Sequence, residues 1–306
     1  MRALVTGAAG FIGSHLCAHL LAAGDTVVGV DSFTDVYDPA LKERNLRTLT
    51  PHPGFTFHRA DLLTADLGPL LDGADTVYHL AGQPGVRPSW GAEFPVYTAR
   101  NVLATQALLE TVRTRPVGKF VYASSSSVYG DARTPTPETA CPRPVSPYGI
   151  TKLAGEHLCE LYRTAYKLPT VSLRLFTVYG PRQRPDMAFA RLLDAARGGA
   201  PFPLYGDGEQ TRDFTYVLDA VTAMRDAARS GFTGVANLGG GAPVSMKQAV
   251  AAVEYLVGPV EVVSRPAGPG DARHTGADIT VARREFGFHP RTALHDGITA
   301  MAGESR

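Results

Sequence analysis

The fold of this chain is decided by a stretch close to its start, Val5-Thr6-Gly7-Ala8-Ala9-Gly10-Phe11-Ile12-Gly13. It lies between an apolar run typical of a buried strand and a helical pattern, which is the context that makes a glycine motif informative. Gly7 permits a tight turn, Gly10 lets the backbone approach a pyrophosphate, and Gly13 lets helix and strand pack closely. The free N–H groups of the first helical residues, Phe11 and Ile12, offer hydrogen bonds to phosphates. We therefore expect a dinucleotide to bind here.

Strands and helices alternate through the first half of the chain. The predicted strands are Arg2–Thr6, Thr26–Asp31, 54–58, 76–80, 119–123 and Thr170–Leu175. The predicted helices are 11–23, 101–113 and Pro147–Tyr166. Strands joined by helical crossovers imply a parallel sheet. The expected fold class is α/β, a doubly wound parallel sheet of the Rossmann type with a smaller C-terminal substrate-binding lobe.

The character of the chain changes after about residue 176, where prolines separate short elements. We expect residues 1–176 to form the dinucleotide-binding domain and residues 177–306 to form mainly the substrate lobe. Later segments such as 214–238 are expected to pack back on the main sheet.

Bulk composition excludes several classes of protein. The 306 residues carry a net charge of +1, with 44% hydrophobic and 19% charged residues, so no nucleic-acid or polybasic membrane surface is expected. No stretch predicts a transmembrane helix. Cys17, Cys141 and Cys159 lack CxxC spacing, so we expect reduced thiols in a cytoplasmic protein without a metal site.

Candidate cofactor residues follow the later strands. Asp31 ends the second predicted strand, where a carboxylate can take the adenosine ribose hydroxyls. It would repel a 2′-phosphate, and no Arg follows closely, so NAD is favoured over NADP. By strand order, four further residues are placed around the cofactor, namely Asp61, Leu62, Leu80 and Ala81.

A tyrosine and a lysine lie four residues apart in Tyr148-Gly149-Ile150-Thr151-Lys152, on the last predicted helix. They share one helix face, so the ammonium can lower the pKa of the phenol and make it a base near neutral pH. Alone, such a pair is more often a surface pair. Together with the glycine turn it predicts a nicotinamide-dependent enzyme.

Five motifs, TGAAGFIG, HLAG, SSSSVYG, SPYGITK and RLFTVYGPRQRPDM, together resemble the extended short-chain dehydrogenase/reductase family of nucleotide-sugar epimerases and dehydratases. The resemblance implies that Tyr148 is the general base, that Lys152 holds the nicotinamide ribose and that Ser125 steadies the sugar 4-hydroxyl. It also implies that Asn101 supports the lysine. The implied reaction oxidises the sugar to a 4-keto intermediate, which turns over and is reduced again.

Neighbouring activities of the family need a carboxylate that this chain lacks. Related 4,6-dehydratases carry Thr-Asp-Glu before Val-Tyr-Gly, and related glucuronate decarboxylases carry a Glu directly before the same Val. Here the stretch is Ser125-Ser126-Ser127. Epimerisation needs neither acid, so it is the expected reaction.

Substrate choice is predicted from the segment that runs from Thr177 through Arg184 to Met187. It is similar to UDP-glucuronate 4-epimerases, and the similarity implies that Arg184 meets the sugar carboxylate. Ser126 or Ser127 is expected to share that carboxylate. The alternative is that Arg184 is an ordinary loop charge or a phosphate contact.

The family resemblance also implies a site for the nucleotide half of the substrate. It assigns the pyrophosphate to Arg212, the uracil to Leu204 and Tyr205, and a ribose to Asp271. Galactose-type relatives often carry an Arg where this chain has Gly268, and Arg265 or Arg273 is a candidate replacement. Arg87 is expected either to line the sugar end or to cap the next helix.

Three other functions stay open at this point. They are a UDP-glucose/UDP-galactose 4-epimerase, an NAD(P)-dependent nucleotide-sugar reductase and a non-catalytic NAD-binding protein. An apolar stripe on the helix Pro147–Tyr166, which includes Ile150 and Leu161, packs on the sheet or pairs across a twofold axis. Since the family usually dimerises this way, a homodimer through a four-helix bundle is expected.

Overall fold

The computed structural model describes residues 1–268 and 270–304. The strands are β1 Arg2–Thr6, β2 Thr26–Asp31, β3 Phe55–Arg59, β4 Thr76–His79, β5 Lys119–Ser125, β6 Thr170–Leu175, β7 Val178–Tyr179, β8 Phe202–Tyr205, β9 Thr211–Asp213, β10 Thr215–Tyr216, β11 Gly234–Leu238, β12 Pro243–Ser245 and β13 Val262–Arg265. The helices are α1 Phe11–Ala22, α2 Pro39–Arg47, α3 Phe94–Tyr97, α4 Ala104–Thr114, α5 Pro147–Tyr166, α6 Ala188–Ala196, α7 Val217–Arg229, α8 Met246–Leu256, α9 Thr280–Phe286 and α10 Leu294–Gly303.

Seven parallel strands form the central sheet, in the order β11-β6-β5-β4-β1-β2-β3. The chain moves outward from β1 to β3 and then returns to the other side of β1 with β4. This reversal opens a crevice at the carboxyl ends of β1 and β4, which is where doubly wound sheets bind their ligands. The predicted fold class is confirmed.

The six strands and two of the three helices predicted from the sequence lie within two residues of their expected bounds, whereas the elements after β6 were not predicted individually. β1, β2, β6 and α5 have the predicted bounds, whereas β3 lies one residue later and β5 extends to Ser125. The predicted helix over 101–113 begins earlier than expected. It starts with α3 and continues through a π-helical segment, Thr98–Leu103, into α4. Helix α2 was not predicted, because its mostly polar sequence shows little apolar periodicity.

The helix α5 begins where its sequence places strong start signals. Ser146 is the N-cap and its side chain accepts a hydrogen bond from the backbone of Gly149, while Pro147 occupies the first turn. The helix ends at Lys167, which has a left-handed backbone. Because the helix starts at the carboxyl end of the sheet, its first two turns hold Tyr148 and Lys152 over the crevice.

Both faces of the sheet are covered. Helices α1 and α7 pack against each other on one face, and α4 and α5 cover the other. β11, which follows α7, adds to the sheet beside β6. The residues between 178 and 265 also form three short strand pairs, β7 with β10, β9 with β12 and β8 with β13. Among the described residues, no helix has the length and apolar character needed to cross a bilayer.

Candidate active site

A cavity of about 380 Å³ runs along the crevice from the glycine turn to the start of α5. The predicted cofactor residues that line it are Gly7, Gly10, Phe11, Ile12, Gly13, Asp31, Asp61, Leu62, Leu80, Ala81, Tyr148 and Lys152. The predicted sugar-side residues that line it are Ser125, Ser126, Ser127, Thr177 and Arg184. The structure therefore brings the two sets together in one continuous space.

The glycine turn at one end of the cavity fits a dinucleotide phosphate. Gly7 has a φ of 72°, and a side chain there would stand 2.9 Å from the backbone nitrogen of Ala81. A side chain on Gly13 would collide with the backbone of Gly7, so helix and strand touch here. The N-cap of α1 is Gly10, which makes no side-chain capping bond, and the first turn of α1 holds no acid. The amides of Phe11 and Ile12, at the start of α1, are thus left for an anionic ligand.

Asp31 organises the end of the cavity that the sequence assigns to adenosine. Its carboxylate accepts hydrogen bonds from the backbone of Ala9 at 3.3 Å and of Phe33 at 2.9 Å. The ammonium of Lys42, on α2, donates to the same carboxylate at 3.1 Å and lies under the surface. No Arg was expected close to Asp31, and the structure places a lysine there. Lys42 was missed because α2 was not predicted, although Asp38-Pro39 is a typical helix start.

A chain of buried hydrogen bonds supports the floor of the cavity. The hydroxyl of Thr6 accepts from the amide of Ala81 at 3.2 Å and bonds Nδ1 of His79 at 2.8 Å. Nε2 of His79 bonds the hydroxyl of Thr105 at 2.9 Å, and that hydroxyl donates to the backbone oxygen of Asn101. Burial lowers the pKa of His79 to about 3, so its imidazole is neutral. A neutral ring fits this chain when Nε2 carries the proton and Nδ1 accepts.

Asn101 lies behind the cavity wall, in the π-helical segment. Its side-chain amide donates to the hydroxyl of Thr151 at 2.9 Å, and its oxygen accepts from the amide of Gln83 at 2.7 Å. It thus reaches the neighbour of Lys152 on α5 and braces the segment after β4. The hydrogen bond of Asn101 goes to Thr151, so its support of Lys152 stays a prediction.

Tyr148 is the candidate base, and its phenol lies at the deep end of the cavity. Burial raises the pKa of Tyr148, while a hydrogen bond with Ser125 and the positive charge of Arg184 oppose that rise. The prediction that Lys152 lowers the pKa of the phenol below its ordinary value is therefore wrong for this state of the site. Burial dominates because a phenolate loses more solvation than the two partners return.

Lys152 lies one turn further along α5 and is only 7% exposed. Its ammonium donates to the backbone oxygen of Ala123 at 2.9 Å and lies over the ring of Tyr122. Burial lowers the pKa of Lys152 to about 8. The lysine is thus still mostly charged at neutral pH, with donor hydrogens left for a ribose.

The serines after β5 form a tight turn at the sugar end. Ser125 caps a short helical turn, Ser126–Val128, by accepting from the amide of Ser127 at 3.1 Å. The acids that line the cavity in the described part of the chain, Asp31 and Asp61, lie at the adenosine end. The sugar end therefore offers hydroxyls and no carboxylate.

Arg184 enters the sugar end from the segment between β7 and α6. Its guanidinium lines the cavity and binds Asp186 through two hydrogen bonds, from Nε at 2.9 Å and from Nη2 at 2.9 Å. A carboxylate partner for Arg184 was expected from the substrate. In the structure, Asp186 of the chain itself supplies one.

A second cluster collects residues predicted for the nucleotide half. The guanidinium of Arg87 donates to Asp271 at 2.6 Å and stacks on the ring of Tyr205 at 3.5 Å from its centroid. Arg212, on β9, is close enough that Asp271 and Arg87 both influence its pKa, which burial lowers. Leu204 precedes Tyr205 on β8. These residues do not line the cavity described above, although Val86, which precedes Arg87, does.

The second cluster also shows which cation lies beside Gly268, where galactose-type relatives often carry an Arg. A side chain built on Gly268 would stand 3.9 Å from Nε of Arg87. Arg273 instead pairs with Asp207 on the exposed surface. Arg87 therefore lies in this corner, whereas the candidate Arg273 is paired elsewhere.

Besides Lys42, sequence reasoning missed other polar residues that line the cavity, among them Gln83 and Arg100. Nη1 of Arg100 donates to the side-chain oxygen of Gln83 at 2.7 Å. Gln83 lies in the irregular segment after β4 and Arg100 in the π-helical segment Thr98–Leu103, and neither segment carried a motif that indicated these residues. In the described part of the chain, no group of three or more His, Cys, Asp or Glu side chains could hold a metal ion.

A crevice with this chemistry belongs to enzymes that use a nicotinamide dinucleotide. Residues 3–239 match the model of the NAD dependent epimerase/dehydratase family. The chain therefore belongs to that family, which confirms the predicted family and the predicted cofactor, NAD.

Individual relatives agree with this membership. A Bacillus subtilis (strain 168) protein named "Uncharacterized UDP-glucose epimerase YtcB" is 45% identical, over 98% of this chain and 96% of its own length. The UDP-glucuronic acid 4-epimerase from Bacillus cereus, solved with UDP-glucuronic acid and NAD, is 43% identical with a TM-score of 0.96, over 99% and 98% of the two chains. MoeE5, solved with UDP-glucose and NAD, is 42% identical with a TM-score of 0.89, over 99% and 97%.

Proposed function

We propose that this chain, an NAD-dependent nucleotide-sugar 4-epimerase, interconverts UDP-glucuronate and UDP-galacturonate. The observation that carries the proposal is Arg184, which lines the sugar end of the cavity together with Ser126 and Ser127 and keeps one edge of its guanidinium open beside its partner Asp186. An arginine fork is the expected partner of a carboxylate in a partly dry pocket. The likeness to the Bacillus cereus enzyme supports the same substrate.

The residues at the deep end divide the chemistry between them. Tyr148 takes the proton of the sugar 4-hydroxyl while the C4 hydride leaves, and Ser125 stabilises the phenolate by donating a hydrogen bond to it. Lys152 supplies a positive charge and hydrogen-bond donors for the cofactor ribose. Bound NAD supplies the hydride acceptor. If the ketone presented its other face, return of the hydride would invert the configuration at C4, and Tyr148 would give its proton back.

The absence of a carboxylate at the sugar end favours epimerisation over elimination. Loss of water from C5 and C6 of a 4-keto sugar needs an acid and a base beside those carbons. The described cavity wall offers serine hydroxyls there, and its acids Asp31 and Asp61 lie at the other end. Reduction of the keto intermediate is therefore favoured over elimination of water.

A uronate substrate brings a hazard that the site must control. Oxidation at C4 creates a β-keto acid, which loses CO₂ when the breaking bond aligns with the ketone. We assign Arg184, with Ser126 or Ser127, as the clamp that holds the carboxylate out of that alignment. The clamp brings together two segments that follow different strands, the turn after β5 and the stretch after β7. Its position is therefore fixed by the fold.

The nucleotide is assigned to the second cluster. Arg212 and Arg87 present two guanidinium groups for the pyrophosphate, and Tyr205 offers an aromatic face already stacked on Arg87. Asp271, which holds Arg87, is also free to accept from a ribose hydroxyl. This end of the site is common to all UDP-sugars, so sugar preference is left to Arg184.

Proton NMR of the purified protein with UDP-glucuronate, without added reductant, tests the proposal. We expect the anomeric signal of UDP-galacturonate to appear. The matched variants are Arg184→Ala and Arg212→Ala. The first is expected to weaken UDP-glucuronate binding far more than UDP binding, and the second to weaken both alike. Equal weakening by Arg184→Ala contradicts its assignment to the carboxylate.

A 4-epimerase of UDP-glucose and UDP-galactose is the second candidate. The observation in its favour is that Arg184 is already paired with Asp186, so a neutral sugar would not leave the guanidinium without a partner. The name of the Bacillus subtilis relative points the same way. Conversion of UDP-glucose without conversion of UDP-glucuronate would select this candidate.

We also propose that the enzyme works as a cytoplasmic homodimer. Ile150 and Leu161 on α5 and Leu103 beside α4 are each more than half exposed, which is costly for large apolar side chains. Pairing of α4 and α5 with their copies would bury this face. Sedimentation analysis of the wild type and of Leu161→Arg tests it, with a dimer and a monomer expected, respectively.

A further inference from the structure

The pair between Arg184 and Asp186 has an unusual position for an ion pair within one loop. Arg184 is 18% exposed and lines the substrate cavity, whereas Asp186 is 54% exposed and reaches the same guanidinium from the solvent side. The two hydrogen bonds use Nε and Nη2 of Arg184. Within the described chain, Nη1 makes no hydrogen bond, so the edge between Nη1 and Nη2 remains available to a ligand.

The ion pair between Arg184 and Asp186 changes the charge that the site presents to a substrate. A guanidinium that faces a closed cavity alone penalises any sugar that cannot supply a counter-charge. Asp186 already supplies one, so a hydroxymethyl group at C5 meets a neutral pair. A uronate carboxylate can still bind the free edge of Arg184, although it then lies near the charge of Asp186.

Resting on the proposed function, we propose that Asp186 is a specificity-determining residue. Its charge reduces the preference of Arg184 for a substrate carboxylate over a neutral group at C5. The substrate class of the site is therefore UDP-hexoses and UDP-hexuronates together. Asp186 achieves this by stabilising the neutral-sugar complex relative to the uronate complex, without contact with the sugar.

A purely orienting role for Asp186 predicts the opposite sign. If the carboxylate only held Arg184 in place, its removal would loosen the guanidinium and weaken uronate binding. If it neutralises Arg184, its removal strengthens uronate binding and weakens binding of the neutral sugar. The two roles therefore predict opposite changes in the ratio of the affinities for UDP-glucuronate and the neutral UDP-sugar when Asp186 is replaced.

The experiment measures dissociation constants of UDP-glucuronate and UDP-glucose by titration of the NAD-loaded protein. The background is Tyr148→Phe, so that no sugar is turned over. Asp186→Asn is expected to raise the affinity ratio of UDP-glucuronate to UDP-glucose by about tenfold, with UDP binding unchanged. The matched control is Asp72→Asn, which removes one partner of an exposed Asp–Arg pair, with Arg115, outside the site. It should leave the ratio unchanged.

A second arm tests whether Asp186 acts through Arg184. In an Arg184→Ala background, Asp186→Asn should change the ratio less than twofold, since no guanidinium is left to neutralise. A ratio that falls or stays constant in Asp186→Asn overturns the inference, as does a full effect that persists without Arg184.

The readout separates this inference from the proposed function. Turnover of UDP-glucuronate by the wild type, with no rise of the ratio in Asp186→Asn, overturns the role of Asp186 alone. A rise of the ratio without any turnover of UDP-glucuronate by the wild type overturns the proposed substrate and leaves the role of Asp186 intact.

Discussion

The ammonium of Lys42 lies 3.1 Å from Oδ1 of Asp31, at the end of the cavity assigned to adenosine. The carboxylate therefore does two things at once, since it repels a 2′-phosphate and it neutralises a cation that would attract one. Asp31→Asn removes both effects and leaves Lys42 unpaired. We expect NAD affinity to fall and NADP affinity to rise, each by about tenfold. Titration of the apo-protein with each cofactor measures the two changes.

The control for this prediction is the double variant Asp31→Asn with Lys42→Met. Without the ammonium, the gain in NADP affinity should disappear while the loss in NAD affinity remains. A gain that persists in the double variant would show that Lys42 does not take part. Asparagine is chosen because its side-chain oxygen can still accept from the amide of Phe33.

Ser125 is expected to set the pH at which Tyr148 works. Its hydrogen bond lowers the pKa of Tyr148, against the larger effect of burial. Ser125→Ala removes the bond, so the pKa of the phenol rises further and the rising limb of kcat/KM against pH should move to higher pH. Ser125→Thr keeps the hydroxyl and should keep the limb in place. A shift to lower pH in Ser125→Ala would exclude the proposed hydrogen bond.

Lys152 should reduce the stability of the fold at neutral pH. Burial lowers its pKa to about 8, from 10.5 in an unfolded chain, so the folded state holds fewer protons between these values. A lowered lysine pKa is a destabilisation that is complete below the folded pKa and is relieved as pH rises toward 10.5. Lys152→Met should therefore be stabilised relative to the wild type at pH 7. This difference should shrink by about 2 kcal/mol between pH 7 and pH 10.

Urea unfolding at several pH values checks this prediction. The pH dependence is the informative quantity, because methionine also loses the hydrogen bond to the backbone oxygen of Ala123, which is constant with pH. A difference between wild type and Lys152→Met that does not change from pH 7 to pH 10 would mean that Lys152 has an ordinary pKa. Lys119→Met serves as the control, because burial also lowers the pKa of Lys119 but its ammonium lies away from the active site.

Local sequence signals predicted the parts of the fold that rest on local physics. The α5 helix has its predicted bounds because Ser146, Pro147 and a left-handed Lys167 mark its two ends. The strand order of the sheet follows from the alternation of strands and helices and from the glycine turn. Residues at the carboxyl end of a strand, such as Asp31 and Ser125, line the cavity as expected.

Contacts between residues far apart in the sequence could not be predicted from local sequence patterns. Arg87 meets Asp271 across 184 residues, so nothing local indicates that it fills the corner beside Gly268. The net direction of the Tyr148 pKa was missed for the same reason, since burial comes from several elements at once. The pair of Arg184 with Asp186 is local, but a resemblance assigned only its arginine, and the acid beside it was not considered.

A buried ion pair behind the serine turn carries the last prediction. Arg174 on β6 donates to Glu156 on α5 through Nε at 3.0 Å and Nη2 at 2.8 Å, and both side chains are about 5% exposed or less. Ser124 also donates to Glu156, so the pair ties β5, α5 and β6 together at the base of the sugar end.

Removal of either partner of this pair leaves a buried charge without compensation, which costs about 3 to 5 kcal/mol. Glu156→Met and Arg174→Met should each lower the free energy of unfolding by that amount. The double variant replaces both charges with apolar groups and should recover most of the loss. Urea unfolding of the four proteins measures the coupling. Losses that simply add in the double variant would show that the two side chains stabilise the fold independently, and that the serine turn rests on other contacts.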